Sequence, residues 1–152
     1  MSGNSLVLSF LLFCASILFS GCTKEEINPI PECRVNLRTP YVDYVSLKNP
    51  GTYKEYLPDG TLYSLNTQLG FGGVLVFRDL ENKLRACDLA CPVEAHRDVC
   101  VRVKMPYATC PVCKTVYDLS YGFCVPKDGE GKFSLKIYSH VTDKGSYILV
   151  TN

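Results

Sequence analysis

The chain has 152 residues, a formal net charge of +1 and a pI near 7.5, with no long basic or acidic run, so nothing in it suggests a nucleic-acid partner. A domain of about 130 residues buries a real core without obligatory metals or disulfides, so the nine cysteines are not needed as mere scaffolding. No Ser/His/Asp grouping, phosphate-binding loop or paired-carboxylate pattern stands out, which argues against a hydrolase or transferase.

The first 22 residues carry no charged side chain, and Leu6 to Phe19 is a run of 14 residues in which only Ser9 and Ser16 are polar. That run falls short of the roughly 20 residues needed to span a bilayer and suits the apolar region of a signal peptide. It ends in Leu18-Phe19-Ser20-Gly21-Cys22, which resembles the lipobox of bacterial lipoproteins, although Phe19 stands where leucine is usual and Met1 to Ser5 lacks Lys or Arg. The resemblance implies a leader over residues 1–21 and lipidation of Cys22. The chain would then be held on a lipid bilayer of the bacterial cell envelope, in the outer membrane, on its periplasmic or its outer side. Several acyl chains on one residue anchor stably, whereas one alone binds only marginally. Residues 22–32 read as a tether: Pro29 and Pro31 disfavour helix, and Glu25-Glu26 resembles the export signal of surface lipoproteins in Bacteroidetes-type bacteria.

Export sets the redox context, because thiols outside the cytoplasm tend to pair. Seven cysteines belong to the domain over residues 33–152: Cys33, Cys87, Cys91, Cys100, Cys110, Cys113 and Cys124. An odd number leaves at least one free, bound to metal or paired between chains.

From Cys33 onward the hydrophobic period is mostly two. Val35 and Leu37 alternate with polar neighbours, and Val42 to Leu47 is rich in β-branched and aromatic residues, so two short strands are expected around a turn at Thr39-Pro40. Tyr53 to Leu69, with a turn at Pro58-Asp59-Gly60, reads as loop and short strand whose tyrosines are expected to pack half-buried. Val74 to Arg78 is the best strand of the chain, and Leu84-Arg85-Ala86 is its expected hairpin partner. Val99, Val101 and Val103 alternate with Cys100, Arg102 and Lys104, which places Cys100 on the face away from the valines and the core. Val116-Tyr117-Asp118, Phe133 to Ser139 and Tyr147 to Thr151 read as further strands, and no 12-residue window has a helical stripe. The expected fold is all-β, with small sheets or a sandwich.

Between Cys87 and Asp118, 32 residues hold five cysteines. Cys91-Pro92-Val93 and Cys110-Pro111-Val112-Cys113 each place proline directly after a cysteine, which fixes φ and removes a donor, so each is expected to form a tight turn presenting a sulfur. Two such turns facing each other make either a four-ligand metal site or a disulfide clasp. Of the two histidines, His140 is expected to be solvated, while His96 follows the first turn closely enough to be considered as a ligand.

This order of strand, Cys-Pro turn, hairpin, Cys-Pro-x-x turn and strand resembles the Rieske iron–sulfur domain. The ligand loops of that family, Cys-x-His and Cys-x-x-His, fall on Cys91-Pro92-Val93 and Cys110-Pro111-Val112-Cys113, and its Gly-Ser-x-Tyr/Phe-Asp is similar to Lys114-Thr115-Val116-Tyr117-Asp118. Gly72 to Phe77 resembles the strand before its first loop, so the likeness covers about residues 70–152, closest to a Rieske-like group of bacterial lipoproteins with Cys-Pro-x-Glu and Cys-Pro-x-Cys. It implies small antiparallel sheets with two ligand-type loops at one end, a [2Fe–2S] cofactor, and electron exchange with a redox partner protein. In that case Thr115 and Tyr117 tune the sulfurs through their hydroxyls.

The departures from the family bear on the ligands. A Rieske cluster has two thiolates on one iron and two imidazoles on the other, but Val93 occupies the first histidine position and Cys113 the second. A fourth donor is then expected from Cys87, or from His96 or Glu94. Four thiolates would suit zinc or a lower-potential cluster. The metal-free alternative is a disulfide between the turns, closing about 20 residues and worth roughly 3 kcal/mol by chain entropy. That leaves a structural or binding lipoprotein rather than an enzyme. A thiol-redox role for Cys110 and Cys113 is weaker, because strand follows them where a helix N-terminus would be needed.

Overall fold

The computed structural model describes residues 27–59, 63 and 66–152; the expected leader and Cys22 lie outside the described residues. In chain order the elements are β1 (Val35–Arg38), α1 (Tyr41–Ser46), β2 (Tyr53–Tyr56), β3 (Gln68–Leu69), β4 (Val74–Arg78) and β5 (Leu84–Asp88). They continue with β6 (Arg102–Lys104), β7 (Tyr107–Thr109), β8 (Val116–Asp118), β9 (Val125–Asp128), β10 (His140–Asp143) and β11 (Ile148–Thr151). Among the described residues the fold is all-β apart from one short helix, with strands in three antiparallel sheets ordered β10-β11-β1-β3, β2-β4-β5 and β6-β7-β8-β9. Among the described residues no helix is long and apolar enough to cross a membrane.

The central strand β4 is apolar without alternation because it is buried on both faces. Its Leu75 and Phe77 enter a cluster with Leu89, Val101, Ala108, Tyr117 and Leu119, while Val74 and Val76 enter a second cluster with Val35, Leu37, Tyr56, Ile148 and Val150. Successive strand residues face opposite ways, so a strand between two cores must be apolar throughout.

Two expected strands take other forms. Val42 to Ser46 lies in α1 and Leu47 caps its end, since Pro40 at its start holds φ near −60° and its carbonyl accepts the N–H groups of Asp43 and Tyr44. The turn buries Tyr44 and Leu47, three residues apart on one face, and Asp43 accepts the Tyr56 hydroxyl at 3.0 Å. Packing thereby overrides a local β preference. Phe133 to Ser139 runs beside β5, with Lys136 O accepting the Asp88 N–H, the Tyr138 N–H donating to Ala86 O and one bridge from Ile137 to Cys87, and the next strand, β10, begins only at His140. Of the tyrosines expected to pack half-buried, Tyr63 does so, meeting the fully buried Tyr56 edge-on at 5.0 Å, whereas Tyr53 is exposed. His140 is exposed.

Candidate metal centre

The two cysteine-proline turns are built alike. In each, the carbonyl of the leading cysteine accepts the N–H of the residue four further on, from Ala95 to Cys91 at 2.9 Å and from Lys114 to Cys110 at 3.2 Å. Ala95 and Lys114 both hold left-handed φ, +47° and +63°. The leading cysteines are tied back into the sheets, because the Cys91 N–H donates to Val99 O and the Cys110 N–H to Thr115 O, each at 3.0 Å.

The start of the first turn is fixed by a buried carboxyl that the sequence reading passed over. Asp88, fully buried at the end of β5, accepts the N–H groups of Phe71, Gly72 and Ala90 at 2.8–3.0 Å and the Tyr138 hydroxyl at 2.6 Å. An acid in the otherwise apolar run 86–90 was the available signal, since a buried carboxyl must be satisfied. Burial and the adjacent Asp88 hold the Tyr138 hydroxyl protonated. Gly72 lies against the same segment so closely that a Cβ there would come within 2.7 Å of Ala90 Cβ.

These supports bring together the sulfurs of Cys91, Cys110 and Cys113, all within 4.8 Å of one another. Cys91 and Cys110 are buried and Cys113 half-buried, while the turn tips Val93 and Val112 stand exposed. Cys91 Sγ lies 3.6 Å from Cys113 Sγ and 3.3 Å from the Tyr117 hydroxyl, and Cys113 Sγ lies 3.3 Å from Thr115 Oγ1. Thr115 and Tyr117 are themselves buried, the former beneath Gly129 and Gly131.

The three thiols titrate differently. Burial pushes Cys110 up to about 12, against the pull of the Val112 and Cys113 N–H groups and with the help of the neighbouring thiols. At Cys113 burial acts the same way, but hydrogen bonds from the Thr115 hydroxyl and N–H and from the Cys110 and Cys91 thiols outweigh it, leaving this thiol below its ordinary value. Burial and Cys91 hold the Tyr117 hydroxyl protonated, ready to donate to a thiolate.

The other residues expected at the site stand apart. Cys87 alternates inward on β5 and is fully buried, with its thiol against that of Cys124, so it does not join the three sulfurs. Glu94 and His96 are also outside the group: His96 is exposed with its ring facing Asp98, and Glu94 is half-buried at the turn position equivalent to Cys113. Cys100 does not face away from the core as its alternation suggested. It is half-buried and donates to Gly72 O at 3.1 Å, because its bridge to Ala90 carries it under the glycine loop. Among the described residues all seven cysteines are free thiols.

No protein-family model matches the chain, and no curated protein matches it in sequence. Among solved structures it is similar to a chain of the complex of reduced oxygenase and oxidized ferredoxin in carbazole 1,9a-dioxygenase. The identity is 15% and the TM-score 0.41, over 67% of this chain and 90% of that one.

The donor set decides which metal group fits. A two-iron cluster takes four donors, two on each iron, and this site offers three sulfurs. If Cys113 stood in for the second histidine, as the family resemblance implies, it would belong to the second iron, yet it lies 3.6 Å from Cys91. The residues present therefore do not fit a cluster held by four cysteines. Two thiolates on one tetrahedral zinc, at bonds of about 2.3 Å, stand about 3.8 Å apart, and the observed spacing fits that. A single cation between the sulfurs would also relieve the repulsion that opposes ionising all three.

Proposed function

We propose that the chain is a lipid-anchored, Rieske-like β domain of the bacterial cell envelope whose two cysteine-proline turns hold one thiophilic metal ion, zinc, through Cys91, Cys110 and Cys113. The observation that carries this reading is the convergence within 4.8 Å of three sulfurs from two turns of matching geometry. Three thiolates leave one coordination position, which Glu94, at the turn position equivalent to Cys113 but outside the three-sulfur group, would fill only by turning its carboxylate toward it. The motif order of the Rieske family and the lipobox-like Leu18 to Cys22 support the rest of the reading.

The test is metal analysis of the full chain prepared without oxygen and loaded in turn with zinc and with iron plus sulfide. One zinc per chain is expected, lost in Cys110→Ser and kept in Cys87→Ser. Failure to hold either metal would overturn the reading. Cys22→Ala is expected to release the chain from the membrane fraction.

A second reading, a [2Fe–2S] electron carrier for a redox partner protein, is favoured by the Tyr117 and Thr115 hydroxyls, which stand on two of the sulfurs as the family resemblance implies. It requires a fourth donor from Glu94 or His96. A brown product with two irons and two sulfides per chain, whose colour depends on one of those residues, would establish it over zinc.

A further inference from the structure

Cys87 and Cys124 take no part in the three-sulfur group, yet both are buried in the core cluster beneath it. Their backbones are fastened to one segment two residues apart. Cys87 is bridged to Ile137, and Cys124 O accepts the Leu135 N–H at 3.0 Å. Gly122, two residues before Cys124, packs directly on the Arg85 side chain, and Arg85 shares a face of β5 with Cys87, so Cys124 stands over the strand face from which Cys87 projects. The Cys124 thiol is the largest influence on that of Cys87 and, with burial, raises its pKa. Cys124 also holds a left-handed φ of +51°, a conformation that favours glycine, so the fold keeps a side chain there against a backbone cost.

We propose that Cys87 and Cys124 are joined by a disulfide in the mature protein, a strap that closes the base of the metal site. Residues 87 and 124 bracket Cys91, Cys110 and Cys113, so the bond would enclose both turns in one covalent loop and hold their bases together whether or not metal is bound. The bond removes freedom from the unfolded chain and leaves the three site sulfurs untouched.

The chemistry is thiol–disulfide exchange. The thiolate of one cysteine attacks a sulfur of an external disulfide, a small molecule or a thiol oxidoreductase, and expels one thiol. The second cysteine then displaces the other sulfur as thiolate, so two protons and two electrons leave the pair and the external disulfide becomes two thiols. Both sulfurs are sealed from solvent once the domain has folded, so the bond forms while the chain around residues 119–137 is still open. This depends neither on the metal nor on where the protein resides, because an external disulfide can be supplied in solution.

The test refolds the full chain in a mixture of oxidised and reduced glutathione, alkylates the remaining thiols and maps the tryptic peptides without reduction. The peptide over residues 86–97 is expected joined to that over 115–127, with fragmentation placing the bond on Cys87 and leaving Cys91 alkylated. Alkylation of both Cys87 and Cys124, or a bond from either to another cysteine, overturns the proposal. A second measurement compares melting with and without reductant: Tm is expected to fall by about 10 °C on reduction of the native sequence and to stay unmoved in the Cys87→Ala, Cys124→Ala double variant. An equal fall in both would overturn it.

Discussion

Three sulfurs drawn within 4.8 Å of one another resist joint ionisation, and the two hydroxyls of Thr115 and Tyr117 ease it unequally. Cys113, lowered and half-buried, is the reactive thiol of the group, whereas Cys110 stays protonated until about pH 12. In metal-free protein, iodoacetamide at pH 8 is therefore expected to label Cys113 well before Cys110, as peptide mass mapping would show. Loss of the Tyr117 hydroxyl in Tyr117→Phe is expected to weaken metal binding about tenfold, measured by competition with a chromogenic chelator. Cys100 gives a pH signature of its own. Burial and the charges of Asp88, Asp98 and Glu55 raise it to about 11, so folding favours its protonated form. Its contribution to stability is full below the ordinary thiol pKa near 9 and is lost as pH rises toward 11. Urea unfolding from pH 8 to 11 is expected to show the difference between the native chain and Cys100→Ala shrinking over that interval.

At the scale of elements, β4 and the end of β5 determine where the first turn stands. Phe77 on β4 is fully buried, and Phe77→Ala is expected to cost about 3–5 kcal/mol in urea unfolding. Asp88 acts on the turn more directly, through three backbone N–H groups and one hydroxyl. Asp88→Asn replaces an acceptor by a donor in that ring and is expected to cost about 2–4 kcal/mol, with metal affinity falling alongside. Gly72→Ala, whose Cβ would meet Ala90, is expected to displace the first turn and lower metal affinity more than it lowers Tm. The strands that alternate or stand between two cores were legible in the sequence, as β1, β4, β8 and β11 show. The helix α1 was not, because its six residues carry β-forming side chains and become helical only where Tyr44 and Leu47 find a core and Asp43 finds Tyr56.

For the whole molecule, the two hydrophobic clusters share β4, so they are expected to melt in one transition. A metal that binds only the folded state raises that transition by mass action. Zinc at about 100 times its Kd adds about 2.7 kcal/mol, and withdrawing it with a chelator is expected to lower Tm by roughly 10 °C in calorimetry. Sequence by itself determined the all-β class and the two cysteine-proline turns, because period-two burial and a proline after cysteine act within a few residues of chain. It also presented Cys91, Cys110 and Cys113 as candidates, through motifs that are local. Only the tertiary structure decided which sulfurs meet. Cys87, four residues from Cys91, faces Cys124 instead, and Asp88 holds a loop sixteen residues behind it, because side-chain direction and strand pairing are set by the sheets as a whole and not by distance along the chain.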